Sequence, residues 1–141
     1  SIVDNGLRWH VRAYDRKSKS FRDFVLTRIS KVTIKAISED NEQALADTEW
    51  QHLISLQLVP HPKNVTQPTA IAMDYGMENS QLLIEVRAAM AGYLLRRWNV
   101  DCTERGTLEG AEYQLWLQNR FTLNNVNNLA IAPGYKGVNL E

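Results

Sequence analysis

Cysteine is almost missing from this sequence. Cys102 stands alone, which excludes an internal disulfide and any thiolate cluster for a metal, and fits a reducing compartment. A surplus of one charge is missing too. Sixteen Lys and Arg balance 16 Asp and Glu, so no field of one sign argues for unspecific attraction to nucleic acid or anionic lipid, and any such contact must be local. No stretch approaches the roughly 18 consecutive apolar residues of a membrane span. Ser1-Ile2-Val3-Asp4-Asn5-Gly6 has neither the basic start nor the apolar core of a signal peptide. These absences predict a soluble, cytoplasmic protein with no membrane partner. An initiator Met is lacking as well, and a strand pattern begins almost at once, so the sequence reads as a piece of a longer chain.

Catalytic patterns are equally scarce. His10, His52 and His61 are scattered, and there is no HExxH, CxxC, GxSxG or Gly-rich phosphate loop. Glu39, Asp40, Glu42 and Asp47 form a solvated acidic stretch, with nothing to place two of them around a buried centre. His52 reads as a core or interface histidine on an apolar strand face, and Cys102 as structural. The expectation is no enzyme, no metal and no cofactor, which disfavours an enzyme acting on nucleic acid.

What is present suffices for one ordinary domain or two small ones, since 141 residues can bury a core without metal or disulfide. Leu7 to Tyr14 alternates, with Trp9, Val11 and Ala13 on one side and Arg8, His10, Arg12 and Tyr14 on the other. Asp15 to Ser20 is a polar turn, and Phe21 to Ile29 reads as a strand pairing back in a hairpin. Val32, Ile34 and Ala36 suggest a third strand. Residues 39–49 form a linker or short surface helix. Trp50 to Val59 alternates again, with Trp50, His52, Ile54, Leu56 and Leu58 on one face, and Pro60-His61-Pro62 stops it.

Thr66 as N-cap and Gly76 as stop predict a short helix over Gln67 to Tyr75. Leu82, Leu83, Val86, Ala89, Met90, Tyr93, Leu94 and Trp98 recur at three and four residues, which predicts one helix of about four turns with an apolar stripe. Tyr113 to Gln118 is too short to decide between strand and helix. The tail from Asn124 to Glu141 should be irregular or poorly ordered.

The hairpin carries the one chemical signal. Trp9, Tyr14, Phe21 and Phe24 are interleaved with Arg8, His10, Arg12, Arg22 and Arg28, which suits stacking of bases and pairing of phosphates. Equally, Trp9 and Phe24 are core and the arginines solvated stems. If the turn is symmetric about Lys17 and Ser18, Trp9, Val11 and Ala13 share a face with Arg22, Phe24, Leu26 and Arg28, opposite His10, Arg12 and Tyr14. A one-residue slip would unite the two basic sets.

Gly6-Leu7-Arg8-Trp9-His10-Val11-Arg12-Ala13-Tyr14 with Phe21-Arg22-Asp23-Phe24-Val25-Leu26-Thr27-Arg28-Ile29 closely resembles the signature of WYL domains, with Trp9-His10-Val11 in place of Trp-Tyr-Leu. The run resembles the branch of WYL transcriptional repressors encoded beside anti-phage defence systems such as BREX and CBASS. Leu58-Val59-Pro60-His61-Pro62, Ala70 to Met77, Val86 to Ala89 and Tyr93 to Arg97 resemble the C-terminal extension of the same repressors. Residues before Gly6 and after about Cys102 carry little of the likeness.

The resemblance implies an α+β chain. Residues 1–38 would be the last strands of a partial Sm-like β-barrel, 39–49 a linker or short helix, and 50–141 a mixed α/β C-terminal dimerisation domain. It implies a homodimer and a nucleic-acid or nucleotide ligand at a basic, aromatic pocket carried by Arg22, Arg28, His10, Arg12 and Tyr14. It implies dimerisation through the stripe of Val86, Met90 and Tyr93, and promoter DNA bound by an N-terminal winged helix that this chain lacks. The rival reading is a purely structural dimerisation module without ligand affinity.

Overall fold

The computed structural model describes residues 1–127 and 129–136; the tail expected at Asn128 and at residues 137–141 lies outside them. The described residues form an α+β fold with two antiparallel-rich sheets, and neither closes into a barrel.

The first sheet contains β1 (Ile2–Asp4), β2 (Trp9–Asp15) and β3 (Ser20–Val25) in that spatial order, all antiparallel. Asp15 shapes the hairpin turn by accepting from Lys17 N at 3.0 Å and from the Ser18 hydroxyl at 2.8 Å. The register pairs His10 with Val25, Arg12 with Asp23 and Asp15 with Ser20, the symmetric turn about Lys17 and Ser18. Opposed residues share a face, so Val3, His10, Arg12, Tyr14, Phe21, Asp23 and Val25 point one way. His10 and Val3 are buried on that side. The other face bears Ile2, Trp9 and Phe24, which are exposed, against the expectation of a Trp9 and Phe24 core. Parity explains the reversal: the face that packs against the rest of the chain is the one with the polar residues.

β3 ends at Val25 rather than Ile29, because Leu26–Arg28 makes a 3-10 turn. The further strand expected at Val32, Ile34 and Ala36 does not form; that stretch runs without regular structure and leaves Val32, Ile34 and Ile37 exposed. Residues 39–47 make two 3-10 turns, Asp40–Glu42 and Ala44–Ala46, before helix α1 (Thr48–Gln51).

The second sheet holds β4 (Leu53–Pro60), β5 (Leu82–Arg87), β6 (Val100–Asp101) and β7 (Leu115–Leu117), ordered β5-β4-β7-β6. Helix α2 (Pro68–Asp74) begins with Pro68 in its first turn, where the missing N–H costs nothing. Gly76 then stops the chain at φ +61°. Helix α3 (Ala88–Arg97) follows β5 directly. The long helix expected from Leu82 is therefore a strand and then a helix. Leu82, Val86 and Met90 are spaced by four, which satisfies a period of 2 as well as 3.6. Partners decide: Leu82, Ile84 and Val86 stand opposite Leu58, Leu56 and Ile54 of β4.

The core unites Ile54, Leu56, Leu58, Leu115 and Leu117 with Ala91 and Leu95 of α3, with Leu123 of the 3-10 turn Arg120–Leu123, and with Val126, Leu129 and Ala132 of the tail. Each fully buried leucine contributes about 1.5–3 kcal/mol. Irregular as expected, the tail is packed through residue 132 rather than loose. Trp50 lies in α1 rather than on the β4 face, and His52 is an exposed helix cap rather than a core residue, because the strand starts only at Leu53.

Candidate ligand clefts and dimerisation surface

Arg12 sits at the junction of three segments. Its Nε and Nη2 bind both oxygens of Asp47 at 2.5 and 2.9 Å, and its Nη1 reaches Asp23 Oδ1 at 3.3 Å. Asp47 in turn caps α1 by accepting from Trp50 N at 3.2 Å. Asp23 accepts from the Tyr93 hydroxyl on α3 at 2.8 Å. Burial alone would lower the Arg12 pKa; hydrogen bonds and charge from Asp47, then Asp23, outweigh it and hold the value above the ordinary one. The hairpin, the linker and α3 are thus tied through one guanidinium.

A cleft of about 560 Å³ opens between the hairpin and residues 33–47, a size within the range of small-molecule sites. Its wall carries Arg12, Tyr14, Arg16, Phe21, Lys35 and Trp50. Tyr14 and Phe21 meet edge to face at 5.3 Å. Arg16 grips both oxygens of Glu42 at 2.6 and 2.7 Å, and this pairing holds the Glu42 carboxyl below its ordinary pKa. A second cleft of about 390 Å³ is lined by Arg12, Phe21, Arg22, Asp23, Glu49 and Tyr93 among others.

The expected ligand residues are therefore distributed. Arg12 and Tyr14 meet in the larger cleft, and Arg12 meets Arg22 in the second. Arg22 belongs to the opposite sheet face, is mostly exposed and lies 3.5 Å from Asp15. Arg28 is exposed on its 3-10 turn and lines neither cleft. His10 is buried with its ring 5.1 Å from that of Tyr93 and its Nε2 3.7 Å from Asp23. It lines a smaller cleft of about 170 Å³ with Arg8, Asp23, Tyr93 and Arg96. Arg16, Lys35 and Trp50 were not singled out as site residues by sequence pattern. Nothing local marks them: they come from a turn, an irregular stretch and a one-turn helix, and only the tertiary fold joins them.

Val86, Met90 and Tyr93 are brought together. All three are half-buried and line one groove with Asp4, Asn5, Gly6, Leu94 and Trp98. The groove is partly roofed by the chain's own turn at Gly6, whose carbonyl accepts from Arg97 Nη1. On the outer face of the second sheet Leu53 and Leu83 are exposed beside Glu85.

One buried polar pair is structural. His61 Nδ1 accepts from Lys63 N and Asn64 N at 3.1 and 3.0 Å, so its Nε2 carries the proton donated to Asp101 at 2.9 Å. Asp101 also accepts from Thr103 and from Leu108 N. Desolvation pushes the Asp101 carboxyl up, but these bonds from Thr103, His61 and Leu108 leave it below its ordinary pKa. Burial beside Asp101 pushes the Cys102 thiol up to about 12, so it stays protonated and unreactive. Among the described residues no group of three or more His, Cys, Asp or Glu is placed to hold a metal ion, and no helix is long and apolar enough to cross a membrane.

Residues 53–123, half of the chain, match the family described as BrxR transcriptional regulator, C-terminal dimerization domain. Over 121 residues, 85% of the chain, the sequence is 37% identical to a DNA-binding transcriptional repressor CapW of Pseudomonas aeruginosa. It is 36% identical over the same share to one of Escherichia coli (strain KTE188). A CapW of Stenotrophomonas maltophilia is 35% identical over 69% of the chain. The matched stretch spans 40% of the length of the first two repressors. The matched family and relatives are regulators and repressors, not enzymes.

Proposed function

Because the chain belongs to the BrxR transcriptional regulators, of which it carries the C-terminal dimerization domain, we propose that it is the dimerising and ligand-sensing region of a repressor of phage-defence genes. Residues 1–38 act as the end of a WYL domain of Sm-like type, 39–49 as the linker and 50–141 as the dimerisation domain. A nucleic-acid or nucleotide effector occupies the clefts around Arg12, with Tyr14 and Arg22 on their walls and with His10 and Arg28, which line neither cleft, contributing from outside them. Two copies associate through Val86, Met90 and Tyr93. Promoter DNA is contacted by a part of the longer repressor outside this stretch, in keeping with the balanced charge here.

The observation that carries this reading is the position of Arg12. It lines both clefts beside the hairpin and is bonded to the cap of α1 and, through Asp23, to Tyr93 on α3. A ligand that prefers one arrangement of this junction biases the dimerisation domain, and such couplings are typically about 1–3 kcal/mol. The rival, a structural dimerisation module, draws support from the same guanidinium, which is already satisfied by two carboxylates.

Binding of short single-stranded DNA, RNA and cyclic nucleotides at two salt concentrations separates the two. Salt-sensitive binding lost on Arg22→Ala/Arg28→Ala substitution is the expected result. A dimer that binds nothing in the panel leaves the structural module.

A further inference from the structure

The Arg16 side chain reaches out from the hairpin turn and is mostly exposed, whereas the Glu42 carboxylate it holds is only 10% exposed. Glu42 also accepts from Glu39 N at 3.1 Å, which closes the 3-10 turn Asp40–Glu42. The fork is filled in the planar, two-bond manner in which a guanidinium receives either a carboxylate or a phosphate. Lys35 lines the same cleft and makes no ion pair among the described residues. Tyr14, Phe21 and Trp50 supply ring faces on the same wall.

A second link runs in parallel. Arg12 and Arg16, four residues apart on the hairpin, hold Asp47 and Glu42, so the linker is stitched to the cleft wall at the end of each of its 3-10 turns. The two stitches differ in strength. Arg12 and Asp47 are both buried, but Arg16 reaches its largely covered partner from the water side, and an ion pair with one solvated partner exchanges more readily.

We infer that the Arg16 fork is an anion subsite of the larger cleft, occupied by the chain's own Glu42, and that a phosphate of the ligand displaces Glu42, pairs with Arg16 and Lys35 and releases residues 39–46. This rests on the ligand reading above and adds the regulation of that site. The linker leads into α1, whose Trp50 carbonyl accepts from Arg87 Nη1 at 2.6 Å and whose indole lies 4.7 Å under the same guanidinium. Release of the linker therefore loosens the strap that joins the hairpin to the dimerisation domain, while Asp47 stays fixed.

Glu42→Gln tests it cleanly. Gln also serves at the third position of such a turn, so the bond from Glu39 N is kept while the competing charge is removed. The probe is a 5′-phosphorylated single-stranded DNA hexamer, followed by fluorescence anisotropy and by amide hydrogen exchange. Glu42→Gln should bind the hexamer about 2- to 5-fold more tightly than the unsubstituted chain, the range of a surface ion pair, and Arg16→Gln should bind it more weakly. Saturating hexamer should raise exchange over residues 39–46 of the unsubstituted chain to the rate of free Glu42→Gln. Equal affinities with unchanged linker exchange overturn the subsite and leave the ligand reading standing. No binding to either protein overturns both.

Discussion

At the scale of single residues, the chain places its charges where they hold segments together. Asp101 is the clearest case, with four donors around a buried carboxylate. Its pKa is lowered on folding from the ordinary 3.8, so the charged form is favoured in the native state. The stability this contributes is present above pH 3.8 and is lost as the pH falls through the still lower folded value. Replacing Asp101 with Asn should cost about 2–3 kcal/mol near neutral pH, as expected for breaking a buried hydrogen-bonded ion network. Urea midpoints measured from pH 7 down to pH 3 should show the gap between the two proteins closing in acid. A gap that stays constant would mean that the carboxylate charge is not what holds the loop. No sequence pattern announces this pair, because 40 residues separate His61 from Asp101. Pro60-His61-Pro62 marks only the end of a strand. Arg12 was legible as a basic residue on the His10 and Tyr14 face from the strand alternation alone, whereas the register of the facing strand was open until the structure paired Asp15 with Ser20. Its partner Asp47 read as part of a solvated stretch, since sequence carries no sign that the linker folds back on the hairpin.

Elements were legible where one period dominated. α2 came within one residue of expectation and the first hairpin strand within two, because Pro68 and Gly76 punctuate the helix, while β4 was legible from the clean alternation of Ile54, Leu56 and Leu58 although it starts three residues late, and the second hairpin strand ends four residues early. The β5 and α3 boundary was illegible for the reason that a spacing of four serves both periods, so Arg87 and Ala88 carry no local break. The alternation at Val32, Ile34 and Ala36 misled in the opposite sense: it has strand spacing and no neighbour to pair with among the described residues. The β5–α3 corner sets Val86 of β5 beside Met90 and Tyr93 of α3 in one groove, the surface proposed above for association. Met90→Glu should raise the dimer dissociation constant about tenfold or more, the effect of losing a central apolar anchor, as read by sedimentation equilibrium. Leu83→Glu on the outer sheet face should leave it unchanged, with far-ultraviolet melts checking that both variants fold. The reverse pattern would move the interface to the outer face, where Leu53 and Leu83 are exposed.

Taken whole, the chain has one substantial core and a satellite sheet. The buried apolar cluster belongs almost entirely to β4, β7, α3 and the tail, while the first sheet contributes only Val3 to the buried hydrophobic residues and lies outside that cluster. What attaches this sheet is mostly polar: Arg12 to Asp47, Arg16 to Glu42, Asp23 to Tyr93 and Arg97 to the Gly6 carbonyl, with the His10 ring packed against that of Tyr93. A body joined in this way opens below the global unfolding free energy, because few apolar contacts are lost when it detaches. Native-state hydrogen exchange should therefore resolve two tiers. Amides of β4 and β7 should exchange only through global unfolding, and those paired between β2 and β3 through a cheaper partial opening. Arg12→Ala leaves Asp23 and Asp47 facing one another without their cation, at a cost of about 3 kcal/mol for a buried pair deprived of one partner. That loss should speed exchange in β2, β3 and α1 about 100-fold while leaving protection in β4 and β7 tied to the global midpoint. If both tiers accelerate together, the hairpin and the core unfold as one cooperative unit, and the Arg12 junction transmits nothing that the core does not already share.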